Sequence, residues 1–186
     1  MKRLYPALVA PFAVLVIIAA TARAQSPAQP ALAESAIREF YRENTDSMHR
    51  SYPEYLAYLK KSLAADYHGR AAMKIKFANR PAISISETQT RQTLLDHARH
   101  NYESMKGATC TENILRIEVA ADGRSAAVTT RAAIRGQSVP DQGGRELIAD
   151  SRGDCRDEVI LSARDGIQVR KSECAIETTV TEGQSL

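Results

Sequence analysis

Two acid–base candidates stand out among the titratable side chains, Asp66 and His97. Asp66 precedes a predicted strand, and His97 lies beside Asp96 at the edge of the apolar face of a predicted helix. A histidine next to a carboxylate can act as a general base. Both residues also have structural interpretations, because Asp favours turns and a histidine on a helix surface is commonly solvated. We therefore treat them as catalytic candidates for testing and not as an assigned pair.

Three further side chains could contact a ligand: Tyr55, Tyr58 and Arg131. A tyrosine that is buried can line a pocket, because its hydroxyl needs a partner. Tyr55 falls on an apolar stripe at helical spacing, which favours core packing, whereas Tyr58 falls off it and could be exposed or at a pocket rim. Arg131 would hold an anionic group if it faces inwards. If it faces outwards, which we favour, we expect an ion pair with Asp157 or Glu158, and periodicity leaves the face open.

Cysteine spacing predicts one disulfide. Cys155 and Cys174 flank the tight-turn signal at residues 164–166, and a hairpin centred there places them nearly opposite each other. We therefore expect these two to be bonded, which leaves Cys110 free or paired with another chain. Pairing of Cys110 with either of the others remains open, because three cysteines allow three single bridges.

No pattern in the sequence predicts a metal ion or a cofactor. There is no Cys-x-x-Cys, no glycine-rich phosphate loop and no Gly-x-Ser-x-Gly motif, and the four histidines are scattered. The chain has 25 Lys and Arg against 22 Asp and Glu, and Lys2, Arg3 and Arg23 account for the excess. The rest of the chain is formally neutral, which argues against a nucleic-acid-binding protein.

The first 24 residues have the three parts of a secretory signal peptide. Lys2 and Arg3 form the positive start, residues 6–21 form a short apolar run, and Ala22-Arg23-Ala24 is a small-x-small cleavage site. The run is short for a membrane span. We expect cleavage after Ala24, export to the periplasm or medium, and no membrane association of the mature protein. Residues 25–33 are predicted to be a flexible tail and residues 34–182 a single domain.

Periodicity predicts helices early in the chain and strands late in it. The predicted elements are a helix over 34–50, a helix capped by Ser51, strands over 67–77 and 82–86, a helix from Ser86 or Thr88 to Met105, and strands over 113–120, 125–135, 146–162 and 167–180. This order favours an α+β fold, with N-terminal helices on one face of a curved antiparallel sheet.

Three segments resemble the nuclear transport factor 2-like superfamily, which includes the SnoaL-like proteins. LAADYHG (63–69) is similar to its segment leading into the first strand, and ISISETQTRQTLLDHA (83–98) to its strand and third helix. DEVILSARDGIQVRKSEC (157–174) resembles its closing hairpin, although the aromatic residue usually found after that turn is absent. The resemblance implies an exported member with a cone-like sheet. A cystatin-like fold is the alternative.

The resemblance implies a range of activities and not one. Members of this superfamily include isomerases, dehydratases, epoxide hydrolases and many non-catalytic binding or assembly modules, often with a small apolar ligand in the cone. The isomerases resemble one another in having a carboxylate base on the first strand and a tyrosine donor from the helices. This sequence has no acid between Asp66 and Phe77, which departs from that pattern.

Our leading hypothesis is therefore an exported, non-catalytic binding module. It would bind a small apolar ligand or a protein partner, and would form a homodimer through its sheet. The first alternative is a small acid–base enzyme acting on an apolar substrate, with Tyr55, Asp66, His97 and Arg131 as the residues to test. The second is an assembly component of a cell-envelope complex.

Overall fold

The computed structural model describes residues 31–140 and 146–182. The elements follow the predicted order of two helices, a hairpin, a helical segment and a four-strand meander. They are α1 Glu34–Ser47, α2 Tyr52–Ser62, β1 Leu63–Phe77, β2 Ile83–Thr90, α3 Arg91–Asp96, α4 Ala98–Ser104, β3 Thr109–Val119, β4 Ser125–Pro140, β5 Glu146–Ser162 and β6 Gly166–Glu182. The predicted signal peptide and residues 25–30 of the predicted tail lie outside the described residues.

The six strands form one mixed sheet in the order β2-β1-β6-β5-β4-β3. All neighbouring pairs are antiparallel except β1 and β6, which are parallel. The expected purely antiparallel sheet is therefore wrong at this one pair. The chain crosses from β2 through α3 and α4 to the far edge at β3, and the meander then returns β6 to the side of β1 in the same direction.

Local signals explain where the second helix begins. Ser51 and Glu54 form the predicted capping box, and Pro53 occupies the first turn, where its missing N–H is not needed. The third helix begins later than predicted, at Arg91, and Thr90 is its N-cap. The reason is that residues 83–90 all pair with β1, so sheet pairing extends through the predicted cap positions.

The hydrophobic core lies between α1 and one face of the sheet. Ile37 and Tyr41 of α1 are buried with Val128 and Val159, which are completely inaccessible. Leu32 joins this cluster, and its backbone N–H donates a hydrogen bond to the carbonyl of Gly123 at 2.7 Å. The last part of the predicted flexible tail is therefore packed against the sheet.

The β5–β6 hairpin is as predicted. Gly166 adopts the left-handed conformation (φ +78°) that this tight turn requires. Cys155 lies directly opposite Cys174 in the register, and the two are joined in a disulfide, while Cys110 is free and half-buried. None of the helices between residues 31 and 182 that the structure describes is long and apolar enough to span a membrane.

Candidate ligand-binding site

The face of the sheet covered by α1, which we call the inner face, is built in rows of side chains fixed by the strand register. Neighbouring strands place equivalent residues side by side, and alternate residues along a strand share a face. The lowest row, the base, is apolar and contains Leu63, Val169, Val159, Ala126 and Val119. The side chains above the base differ sharply in polarity from it.

Directly above the base is a group of polar side chains, which we call the polar layer. It combines residues from five strands with two from α1. Its members are Asp157, Ser172, Thr130, Glu112, Tyr67, Tyr41 and Asn44. The sheet thus carries a polar patch on the same face as its hydrophobic core, and buried polar groups need hydrogen-bond partners.

Asp157 is the centre of the polar layer. It is only 7% exposed, and the Tyr41 hydroxyl donates a hydrogen bond to its Oδ2 at 2.6 Å. Its other oxygen, Oδ1, is buried and has no hydrogen-bond partner among the described residues. Burial raises the pKa of Asp157, against the opposing effect of the Ser172 and Tyr41 hydroxyls. Burial and the charge of Asp157 raise the pKa of Tyr41, so this phenol remains a donor.

A second carboxyl group, that of Glu112 on β3, belongs to the same layer. The Asn44 side-chain amide donates a hydrogen bond to its Oε2 at 3.2 Å. Burial raises the pKa of Glu112, the Asn44 hydrogen bond acts against this, and the charge of Asp157 raises the pKa further. Thr130 is fully buried, and its hydroxyl, close to Glu112, acts with the Asn44 amide to lower the pKa of that carboxyl. Two acidic groups and a buried hydroxyl therefore share one region of low solvent access.

Tyr67 reaches this layer from β1. Its ring lies over Gly69, where a Cβ would collide with the phenol oxygen, so only glycine leaves room for the ring. Burial, followed by the charge of Asp157, raises the pKa of Tyr67 to about 12. The hydroxyls of Tyr41 and Tyr67 are thus both protonated at neutral pH, and the O–H of Tyr41 is already engaged with Asp157.

Beyond the disulfide, the inner face continues as two more rows, the upper rows, with Glu112 of the polar layer at the β3 end of the first of them. They are mostly apolar and include Ala132, Ile134, Ser151, Gly153, Ile176, Thr178, Met73 and Ile75. All of these residues are half-buried, in contrast to the fully buried core below. The upper rows therefore expose apolar side chains to solvent on the same face as the polar layer. Apolar walls with a few convergent polar groups are the composition of a small-ligand site.

The structure places the predicted ligand contacts apart from this layer. Tyr55 is half-buried, with its ring 5.6 Å from that of Tyr102. Tyr58 is buried and not exposed, and its hydroxyl donates to the carbonyl of Phe40 at 3.2 Å. It lines a small cavity between α1, α2 and the β5–β6 turn, which agrees with the alternative of a pocket-rim position. Both tyrosines pack between helices, and their roles as ligand contacts stay predictions.

Arg131 lies on the outer face of the sheet and forms an ion pair there, as we favoured. Its partner is Asp154 and not Asp157 or Glu158. Its Nε is 2.8 Å from Asp154 Oδ1, and both side chains are more than half exposed. The register sets Arg131 directly opposite Asp154, whereas Asp157 lies opposite Val128 on the inner face. An inward-facing anion site at Arg131 is therefore excluded.

The two catalytic candidates are both exposed. Asp66 lies near the start of β1, within the irregular pairing between Leu63 and His68, and His97 joins α3 to α4. Neither belongs to the polar layer, and their catalytic roles stay predictions. Within residues 31–140 and 146–182, no group of three His, Cys, Asp or Glu side chains is arranged to bind a metal ion.

Asp157 was not recognised from the sequence as a site residue, because the residues around it are highly charged. The string Asp150–Glu158 alternates in sign and is typical of a solvated strand face. A signal was nevertheless present: Asp157 is two residues from Cys155, so the two side chains must share a face. A disulfide that lies on the inner face places Asp157 there as well.

No protein-family model and no curated protein matches this sequence. Solved structures do. The crystal structure of LinA covers 82% of this chain and 90% of its own, at 12% identity and a TM-score of 0.51. A putative scytalone dehydratase from Novosphingobium aromaticivorans DSM 12444 covers 82% and 88%, at 15% identity and a TM-score of 0.51. At these identities the likeness concerns the fold alone: the chain has the nuclear transport factor 2-like (SnoaL-like) fold, with helices packed on a curved mixed sheet.

Proposed function

We propose that the protein is a non-catalytic module that binds a small, mainly apolar molecule on the inner face of its sheet. The upper rows would contact the apolar part of the ligand, and the polar layer would hydrogen-bond its polar group. The observation that carries this proposal is the buried, unpartnered Oδ1 of Asp157.

An unpaired carboxylate oxygen is expensive to bury. Leaving a buried polar atom without a hydrogen bond destabilises a fold by about 1–3 kcal/mol, and more when the group is charged. Native proteins therefore rarely keep such an atom unless a ligand or water satisfies it. The half-buried apolar rows above Asp157 would supply the hydrophobic contact that a ligand needs.

Titration with N-phenyl-1-naphthylamine tests the proposal, because this neutral dye is apolar, carries one N–H donor and gains fluorescence in apolar sites. We expect saturable binding by the wild-type protein. Asp157→Asn keeps the acceptor for Tyr41 but can place an N–H where the free oxygen was, and should weaken binding about tenfold. The matched control is Asp154→Asn on the same strand, which should bind as the wild type does because Asp154 faces outwards.

Two results would count against the proposal. Failure of the wild-type protein to bind the dye at micromolar concentration would remove the ligand-binding function. Equal weakening by Asp157→Asn and Asp154→Asn would show that the dye binds outside the inner face. Circular dichroism of each variant checks that the fold is retained.

An acid–base enzyme is the second candidate, and one observation favours it. Asp157 and Glu112 have raised pKa values and lie in one layer with Tyr41 and Tyr67, and catalytic carboxyl groups are commonly tuned this way. Solved structures of similar fold include a hexachlorocyclohexane dehydrochlorinase, at 11% identity and a TM-score of 0.50. That activity belongs to the other protein, and it makes proton abstraction worth testing in this one.

Deuterium exchange at the acidic carbon of 2-tetralone, followed by NMR in D2O, measures proton abstraction without a known substrate. An enzyme that uses the polar layer would accelerate exchange and lose the acceleration in Asp157→Asn. If Asp66→Asn or His97→Gln abolished it instead, the residues predicted from the sequence would be the catalytic ones. Exchange no faster than in buffer would leave the non-catalytic function in place.

A further inference from the structure

The second inference names the polar group of the ligand and rests on the proposed function. We infer that the inner face receives an apolar molecule that carries a protonated amine. The inference depends on the distribution of charge over the two faces of the sheet and on the oxygen atoms left unpaired in the polar layer.

Cationic side chains are segregated to the outer face. Side chains alternate between faces along each strand, and the described inward-facing positions of the six strands contain no Lys or Arg. The cations of the same strands face outwards and include Arg70, Lys74, Lys76, Arg131, Arg152 and Arg156. Beside the inner face, half-buried Arg91 donates instead to the carbonyls of Leu63 and Lys60. Two carboxyl groups, Asp157 and Glu112, thus lack a cationic partner on their own face.

The polar layer offers oxygen acceptors to a ligand. Among the described residues, Asp157 Oδ1 is buried without a hydrogen-bond partner, the Asn44 amide engages only one oxygen of Glu112, and the Thr130 hydroxyl can accept as well as donate. A primary ammonium group has three N–H donors and no acceptor. It could therefore donate to three different residues, whereas an alcohol brings one donor and a carboxylate brings none.

Charge also favours a cation over the other common polar groups. Two carboxyl groups in one low-dielectric region disfavour each other's ionised form, and a cation between them favours both. The titratable groups that face the layer are Tyr41 on α1, Tyr58 on α2, Tyr67 on β1, Cys110 and Glu112 on β3, and Asp157 on β5. The tyrosines stay neutral at neutral pH, so they add donors but no charge. An anionic ligand would meet two acids and no cation.

Displacement of bound N-phenyl-1-naphthylamine by three eight-carbon competitors tests the inference. We expect n-octylammonium to displace the dye at a concentration at least tenfold lower than 1-octanol, and octanoate to be the weakest. The advantage of n-octylammonium should grow with pH as the two carboxyl groups ionise. Its binding should release protons, which calorimetry in two buffers of different ionisation enthalpy would measure.

Glu112→Gln is the key variant, because Glu112 is only half-buried and the change preserves its size. It should reduce the preference for n-octylammonium over 1-octanol by about tenfold and leave displacement by 1-octanol unchanged. Glu118→Gln, on the same strand but exposed and paired with Arg116, is the matched control and should keep the full preference.

The outcomes separate the two proposals. If the dye binds but 1-octanol displaces it as well as n-octylammonium does, the amine inference is wrong and the ligand-binding function stands. If octanoate is the strongest competitor, the inference is wrong and an unrecognised cation lines the site. If the wild-type protein does not bind the dye, the proposed function itself fails.

Discussion

The raised pKa of one residue, Asp157, predicts how the stability of the fold depends on pH. Its pKa is raised by burial above the ordinary 3.8, so the folded state holds this proton more tightly than the unfolded state. The stabilisation that the protonated Asp157 gives to the folded state is complete below pH 3.8. It is lost as the pH rises towards the folded-state pKa. Asp157→Asn cannot ionise. The stability of this variant relative to the wild type should therefore increase with pH, which urea unfolding between about pH 4 and 8 would show.

The control variant, Asp154→Asn, should show the opposite pH dependence of stability. Arg131 lowers the pKa of Asp154, first through its hydrogen bond and then through its charge. Asp154→Asn should therefore lose stability relative to the wild type as pH rises, by a small amount because the pair is exposed to solvent. A stability difference between Asp157→Asn and the wild type that does not vary with pH would contradict the raised pKa.

Tyr41 makes a second prediction at this scale. Tyr41→Phe removes the only donor that geometry gives to Asp157 Oδ2 among the described residues, and should lower the free energy of unfolding by about 1–3 kcal/mol. Tyr55→Phe is the control and should change it by less than about 0.5 kcal/mol, because the ring of Tyr55 packs on Tyr102. Equal effects of the two changes would mean that the buried hydrogen bond contributes no more than the half-buried phenol.

At the scale of the element, the features predicted correctly from the sequence are those that depend on residues close together in the chain. The capping box at Ser51 and the β5–β6 hairpin are short-range features, and both are confirmed. The start of the third helix was wrong because pairing between β1 and β2 competes with the Ser86 and Thr88 caps. Helix propensity near those residues is a weak preference that the ladder of β2 overrides.

The disulfide provides the prediction for the β5–β6 hairpin. Cys155 and Cys174 are 19 residues apart, and closing such a loop stabilises by about 3 kcal/mol in the chain-entropy model. The double variant Cys155→Ala/Cys174→Ala should lose stability of that order in urea unfolding. Cys110→Ala should leave the response to reductant unchanged. A peptide map of unreduced protein that linked Cys110 to either partner would contradict the pairing.

At the scale of the whole molecule, the site could not be predicted because it joins distant parts of the chain. Tyr41 and Asp157 are 116 residues apart, and the parallel pairing of β1 with β6 that brings Tyr67 alongside leaves no local pattern. The sequence predicted the class of fold and the order of elements from periodicity. It could not predict which buried polar groups meet once the sheet has formed.

Export and dimer formation are predictions for the intact protein. The disulfide suits an oxidising compartment. Mass spectrometry of protein produced with its own leader should find a chain that begins at Gln25. We expect a homodimer through the outer face, which carries the ion pairs of Arg131 with Asp154 and of Lys76 with Glu177.

Such an interface would be sensitive to salt, because exposed charges are screened within about 10 Å at 0.1 M ionic strength. Light scattering should therefore show less dimer at about 0.5 M than at about 0.05 M salt. A dimer that is unaffected by salt would place the interface elsewhere, and a monomer under both conditions would contradict the prediction. A protein partner in the cell envelope stays a prediction beside it.

The most direct test of the central claim, that a ligand occupies the inner face, is a pair of steric variants. Ala132 and Ala133 are adjacent on β4, both half-buried, and face inwards and outwards respectively. Ala132→Phe should reduce the affinity for N-phenyl-1-naphthylamine at least tenfold by filling the space above the polar layer, and Ala133→Phe should leave it unchanged. Wild-type affinity in Ala132→Phe with a loss in Ala133→Phe would place the ligand on the outer face and contradict the account.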